Sequence, residues 1–215
     1  MKLYGYWRSS AAYRVRIALN LKSLAVEEEF IHLQKNDQRG DDYLALNPQG
    51  LVPTLIDGDL RLSQSLAILE YLDECHPEPA LLPSDIPGRA RVRQLAQVVA
   101  CDIHPIDNLK VLNFLTGELG VSAEGRLTWY RHWVCQGLEG LEGLVANHAE
   151  TGLYCHGDQP SIADLCLVPQ LHNARRFDVD LSRYPTLQRI DQACQALDAF
   201  AAAAPEKQPD AATNV

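Results

Sequence analysis

The alternation of apolar and polar positions divides this chain into two stretches of different character. Lys2 to Tyr6 alternates and is rich in aromatic side chains, as a strand is, and Ala11 to Lys22 then repeats its apolar residues at helical spacing, with Val15, Ala18 and Leu19 on one side. Val26 to Leu33 alternates again. Asp41 to Leu46 predicts a short helix that stops at Asn47-Pro48, because a residue followed by proline is pushed out of the helical region. Two short strands follow, Thr54 to Asp57 and Leu60 to Leu62, joined by the turn Asp57-Gly58-Asp59, and Ser65 to Glu74 carries the one-sided apolar face of a helix. Pro77 to Pro87 holds four prolines, which favours an extended connection. Beyond it nearly everything has helical spacing: Gly88 to Leu119, Ser122 to His148, Ser161 to Phe177 and Thr186 to Ala203.

Mixed elements before the prolines and helices after them predict two domains of different class, α/β followed by all-α. Residues 1–80 have the order strand, helix, strand, helix, strand, strand, helix of a thioredoxin-like domain; residues 87–215 form a helical bundle, with 81–86 as linker. At 215 residues, 47% hydrophobic and 22% charged, the chain can bury a core in both. From Ala201 onward it is rich in Ala, Pro, Asp and Lys without a sustained apolar face, which predicts a loosely held tail. The formal charge of -9 and the lack of a basic run argue against nucleic acid as a partner. No apolar run approaches the roughly 18 to 20 residues that span a bilayer, so no membrane partner is expected and the cytoplasm is the expected compartment. The six cysteines lie far apart without a C-x-x-C pair and read as buried, reduced thiols rather than a metal or redox centre.

Charge changes this picture at the N-terminus. Through Val26 the chain carries Lys2, Arg8, Arg14, Arg16 and Lys22 and no carboxylate, a local excess that points to a negatively charged small molecule. Arg8-Ser9-Ser10 stands where the first strand hands over to the first helix. Ser9 or Ser10 can cap that helix, and the first helical N–H groups then face an anion such as a thiolate; an ordinary N-cap with solvated arginines fits the same residues. Pro53 opens a strand, where it cannot donate a ladder hydrogen bond, so either it is a loop proline or a cis Val52-Pro53 bond leaves the Val52 amide and carbonyl to pair with an extended peptide. Ser63-Gln64-Ser65 offers more hydrogen-bonding capacity than one cap needs: Ser65 could bind a carboxylate at the helix start and Gln64 an amine or amide. Further on, Pro105 interrupts a helix and crowds His104, Asp107, Asn108 and Lys110 into two turns, an arrangement that fits a cleft or a solvated kink. His104 has no second ligand at metal spacing, so no metal is expected. Arg175-Arg176 closes a helix that opens at Ser161 with Asp164 three positions on, where cations commonly serve the helix dipole.

Taken together and in order, these segments resemble the zeta-class cytosolic glutathione transferases over nearly the whole chain. The likeness rests on Arg8-Ser9-Ser10 with Arg14-Val15-Arg16-Ile17-Ala18-Leu19, on Ala45-Leu46-Asn47-Pro48 through Val52-Pro53, and on Gln64-Ser65-Leu66-Ala67-Ile68. Cys101-Asp102-Ile103-His104-Pro105, Ala163 to Gln170 and Arg176-Phe177 extend it. The resemblance implies a glutathione-dependent isomerase that turns maleylacetoacetate into fumarylacetoacetate in tyrosine and phenylalanine breakdown, working as a homodimer. Maleylpyruvate as substrate, or transferase activity on small electrophiles or α-halo acids, is the alternative. Ser10, with Ser9 close behind, is implied as the group that activates the thiol, and Arg8 and Arg176 as holders of the dianionic keto acid's carboxylates. Ser9, Ser10, Gln38, Gln49, Val52, Pro53, Gln64 and Ser65 from the first domain, with His104 and Asn108 from the second, are implied as the glutathione grip. One departure matters: many zeta enzymes have Cys after the serine pair, and this chain has Ala11, which leaves the reactive sulfur to glutathione.

Overall fold

The computed structural model describes residues 1–214, with side chains to Ala211. The chain divides into two compact units, Met1–Leu81 with Gln195–Val215, and Leu82–Cys194.

The first unit is built on a four-stranded mixed sheet of β1 (Lys2–Gly5), β2 (Glu27–Phe30), β3 (Thr54–Asp57) and β4 (Leu60–Ser63) in the order β2-β1-β3-β4. β1 runs parallel to β2, with Lys2 opposite Glu27, and antiparallel to β3, with Tyr4 opposite Thr54. The crossover between the parallel pair is α1 (Ser10–Leu21), as a parallel connection requires. α2 (Asp41–Leu46) ends where Pro48 predicts, and α3 (Ser65–Cys75) packs beside α1. Leu3, Val15, Ile17, Leu55, Ile68, Leu69 and Leu72 fill the core between them. β2 is shorter than its alternating sequence predicts, because it is an exposed acidic edge whose Glu27 and Glu29 reach only the Lys2 ammonium, at 2.8 and 3.4 Å.

Three of the five cations in the basic N-terminus are internal, so most of the local excess of charge that pointed to an anionic small molecule does not face solvent. The Lys22 ammonium donates to Asp73 (2.9 Å) and to the carbonyls of His76 (2.6 Å) and Pro79 (2.8 Å), with its side chain wholly buried. Arg14 and Arg16 are buried as well. A buried cation persists only when its donors are satisfied, and these three turn charge into fixed geometry.

The C-terminal segment overturns two expectations. α10 (Asp198–Ala203) packs on α1, so the last twenty-one residues belong to the first unit rather than to the helical one. The tail is anchored rather than loose: Pro205, Gln208 and Asp210 are buried, and Gln208 donates through Nε2 to the carbonyls of Ala202 and Ala204. Its polar composition supplies hydrogen bonds in place of an apolar face. Val215 lies outside the described residues.

The second unit is helical. α4 (Ile86–Gln97) starts at Asp85, whose carboxylate accepts the Gly88 amide at 2.8 Å. The helical stretch expected from Gly88 to Leu119 is interrupted around Pro105, as its sequence predicts. It passes through a wide π-helical turn at Val98–Ile103 into the short α5 (His104–Ile106) and, after a kink, α6 (Leu109–Gly117). Pro105 has no N–H for the carbonyl one turn back, and the ladder loosens just before it. α7 (Ala123–Val145) approaches this turn so closely that a Cβ on Gly137 would collide with the Ile103 side chain. α8 (Ile162–Arg176) opens with the expected capping box, where the Asp164 carboxylate accepts from both the amide and the hydroxyl of Ser161 at 2.8 Å. The helix expected from Thr186 to Ala203 is two: α9 (Pro185–Gln195) and, after Leu197, α10. Of the cysteines, Cys155, Cys166 and Cys194 are buried; Cys75 and Cys101 are exposed, contrary to expectation, because each occupies the solvent side of its helical turn.

Candidate active site

In the first unit three loops carry most of the residues singled out from the sequence. The loop between β1 and α1 folds back through the Ser9 amide, which donates to the Tyr6 carbonyl at 2.9 Å. Ser9 is the N-cap: its Oγ accepts the Ala12 amide at 3.1 Å. Ser10 is the first helical residue and is buried. Arg8 lies over the Trp7 ring, 4.3 Å from its centre.

The second loop precedes β3. Val52-Pro53 is a cis peptide, as the strand-initial proline predicts. Two side chains to which the sequence assigned no bracing role hold this loop: Tyr43 Oη and Asn47 Nδ2 both donate to the Leu51 carbonyl, at 2.7 and 2.8 Å, and Asn47 Oδ1 accepts the Gln49 amide. Gly50 has a φ of +60°, and a Cβ there would press on the Gln38 carbonyl at 2.9 Å, so the loop sits tightly against the turn that bears Gln38. The Gln38 Oε1 is buried and accepts no hydrogen bond among the described residues.

The third loop starts α3. Gln64 has a φ of +73° and ψ of 112°, a conformation that non-glycine residues rarely hold, and its side chain does not cap the helix. Instead Gln64 Nε2 donates to Gln49 Oε1 at 2.9 Å, joining the second and third loops. Ser65 is buried and its Oγ accepts from Arg14 Nη1 at 3.1 Å. Arg14 therefore ties the body of α1 to the start of α3, a role its place in the N-terminal charge cluster does not reveal. The helix start is left with N–H groups and no side-chain cap, which is the electrostatic form of an anion site.

The second unit holds its own cluster. His104 and Asn108 meet across the kink, Nε2 to Nδ2 at 3.4 Å, while Asn108 Oδ1 caps α6 through the Lys110 amide. Trp129 Nε1 donates to the Ile106 carbonyl at 3.0 Å and fixes α7 to the kink. Both carboxylate oxygens of Asp107 are buried and accept no hydrogen bond among the described residues, and burial raises its pKa from 3.8 to about 7. At the end of α8 the two arginines differ. Arg175 pairs with the buried Asp191 at 2.5 Å, whereas Arg176 lies over the Phe177 ring at 4.6 Å, and that ring stacks on Tyr130 at 3.9 Å. Burial raises the Tyr130 hydroxyl above its usual range, Asp107 adds to the shift and Arg176 opposes it, which places the three in one electrostatic neighbourhood. No helix among the described residues is long and apolar enough to cross a membrane.

Residues 1–74 match the family model described as "Glutathione S-transferase, N-terminal domain". The chain is 55% identical to the probable maleylacetoacetate isomerase of Vibrio cholerae, with 97% of each chain covered. It is 49% identical to a maleylpyruvate isomerase of Ralstonia, covering 99% of this chain and 100% of that one. Among solved structures, the maleylacetoacetate isomerase of Methylobacterium extorquens AM1 with bound malonate and GSH superposes with a TM-score of 0.96 at 50% identity, covering 98% of this chain and 99% of that one. The chain belongs to the glutathione transferase family. It resembles the zeta class in that family: a maleylpyruvate isomerase described as a zeta-class bacterial glutathione transferase superposes with a TM-score of 0.96 at 48% identity, covering 98% of this chain and 99% of that one.

Proposed function

We propose that this chain is a glutathione-dependent cis–trans isomerase that converts maleylacetoacetate to fumarylacetoacetate, acting in the cytoplasm as a homodimer. The reading is carried by the α3 start, where an uncapped helix, a serine hydroxyl and a pair of glutamine amides stand together, combined with full-length relatives that bear this name.

The residues fit glutathione. Ser65 and the α3 N-terminus would hold the γ-glutamyl carboxylate, and Gln38, Gln49 and Gln64 its amine and amide groups. The backbone of Val52, ahead of Pro53, would pair with the cysteinyl segment, and His104 and Asn108 would complete the grip. When bound, glutathione supplies a thiol whose anion adds to a conjugated cis double bond and leaves again after rotation. A free thiol has a pKa of about 8.5, so the protein's task is to stabilise the anion. The α1 N-terminus lowers the cost of that charge, and the Ser10 hydroxyl donates to the sulfur. Ser9 keeps its own hydroxyl proton while its oxygen serves as cap, so it supports the same charge. Arg8 and Arg176 hold the substrate carboxylates, charge-assisted and directional. Ala11 puts no protein thiol beside the serines.

Maleylpyruvate remains a second reading because relatives at 48–49% identity carry that name. The assay is isomerisation of both acids with catalytic glutathione: full turnover of maleylacetoacetate with glutathione regenerated is expected. Stoichiometric loss of glutathione would show a transferase instead. Ser10→Ala is expected to lower kcat about a hundredfold with glutathione affinity retained; an unchanged thiolate absorbance and rate would remove Ser10 from its role.

A further inference from the structure

The two peptide units that flank the Trp7 Cα are each held by a group that nothing in the reading above employs. The Trp7 N–H donates to Asp210 Oδ2 at 2.9 Å, and the Trp7 carbonyl accepts from Arg16 Nη2 at 3.1 Å. The same guanidinium donates through Nε to the Ala203 carbonyl at 3.1 Å. Arg16 is thus the bolt between the β1–α1 loop and the C-terminal segment, and the Asp210 side chain of that segment reaches the loop directly. The anchorage is not incidental packing. Tyr13 Oη donates to the Phe200 carbonyl at 3.3 Å and Asn20 Nδ2 to the Ala199 carbonyl at 3.0 Å, so α1 receives the segment along its length. Asp210 and Arg16 are both buried, where a charge-assisted hydrogen bond is strong and directional.

Trp7 immediately precedes Arg8, Ser9 and Ser10. Fixing the two planar peptide units on either side of the Trp7 Cα restrains its φ and ψ and so sets the direction in which the next three residues leave it. We propose that Asp210 is a positioning residue: from the far end of the chain it holds the Trp7 amide and so orients the Arg8-Ser9-Ser10 loop for chemistry. This rests on the reading that the serines stabilise the glutathione thiolate.

The experiment compares Asp210→Ala, Asp210→Asn and Asn20→Ala in the full chain. Two quantities are read: hydrogen–deuterium exchange of the segment spanning residues 6–12, and the pH midpoint of the bound glutathione thiolate absorbance. Asp210→Ala is expected to speed exchange of that segment about tenfold and to raise the thiolate midpoint by about half a pH unit. Asp210→Asn, whose side-chain carbonyl still accepts the Trp7 amide, is expected to restore most of both. Asn20→Ala loosens the same segment elsewhere and is expected to lower the melting temperature while leaving the midpoint in place. Wild-type exchange in Asp210→Ala, equal midpoint shifts in Asp210→Ala and Asn20→Ala, or no rescue by Asp210→Asn would each overturn the proposal. If Ser10→Ala and Ser9→Ala both leave the midpoint unmoved, the thiolate reading itself fails, and the exchange arm still decides whether Asp210 holds the loop.

Discussion

Two helix starts in the first unit look alike in composition and are built in opposite ways. α1 opens on a serine pair and is closed off conventionally, with the Ser9 oxygen taking the Ala12 amide. α3 opens on Gln64-Ser65 and has no side-chain cap; its serine is instead turned toward a buried guanidinium from the neighbouring helix. A cap spends a hydroxyl on the protein's own backbone, whereas the second arrangement spends a whole arginine to leave backbone N–H groups open to an outside acceptor. Polar residues at a helix start therefore serve as a cap in one place and leave the helix uncapped in the other.

The largest break in that contrast comes from removing the arginine. Arg14→Ala leaves a cavity at a site only 1% exposed and strips Ser65 of its donor, and is expected to cost about 3 kcal/mol in denaturant unfolding. Arg14→Met refills the volume and is expected to recover most of that stability, yet glutathione affinity falls about tenfold in both, because the orienting hydrogen bond is gone in both. Affinity that returns with Met would show Arg14 to be packing alone.

A second test extends the contrast to the kink at Asp107, where an acid is buried with no cap to make. With a folded pKa of about 7 against 3.8 unfolded, the native state retains a proton that the unfolded chain has released. Stability from this group is therefore full below about pH 4 and declines as pH rises toward 7. Asp107→Asn is expected to gain roughly 1–2 kcal/mol above pH 7, discounted for partial solvent access, with no gain below pH 4. Melting curves across that range check it, and a gain independent of pH would refute it.

Smaller effects separate the two starts themselves. Ser9→Ala loses a cap and is expected to cost about 1 kcal/mol, read as a melting temperature lower by about 2–4 °C. Gln64→Gly relieves a positive φ and is expected to stabilise by about half a kcal/mol while weakening glutathione binding, since its side chain holds Gln49. If both changes moved stability the same way, the difference between a closed and an open helix start would be lost.

The elements themselves were legible because their signals are local. Alternation marked β1, β3 and β4, Pro48 ended α2, and Ser161 with Asp164 announced a capping box that is present atom for atom. The cis Val52-Pro53 bond followed from a proline placed where a strand should begin. What the sequence concealed was long-range. Arg14, Arg16 and Lys22 read as one cationic patch, since nothing in a linear pattern distinguishes an arginine facing solvent from one bonded to Ser65 or Ala203. Tyr43 lies outside every motif, and Asn47 stands in one only as the residue before Pro48, so neither revealed that it holds the loop before β3. The C-terminal segment was misjudged for a related reason: its backbone carbonyls at Ala199, Phe200 and Ala203 accept from the Asn20, Tyr13 and Arg16 side chains of α1, and hydrogen-bonded anchorage leaves no apolar periodicity to find.

The division of the chain has a temporal consequence. The sheet unit owns the first eighty-one residues and the last twenty-one, and the helical unit is threaded between them. A protein leaves the ribosome from its N-terminus, so β1 through α3 emerge early, yet the segment that covers α1 and grips Trp7 emerges last. The helical unit can finish folding while the sheet unit still lacks a wall, and the β1–α1 loop acquires this restraint only after the helical unit has emerged. A prematurely terminated chain would retain every residue assigned to catalysis and still lack the clamp on the loop that carries Arg8, Ser9 and Ser10.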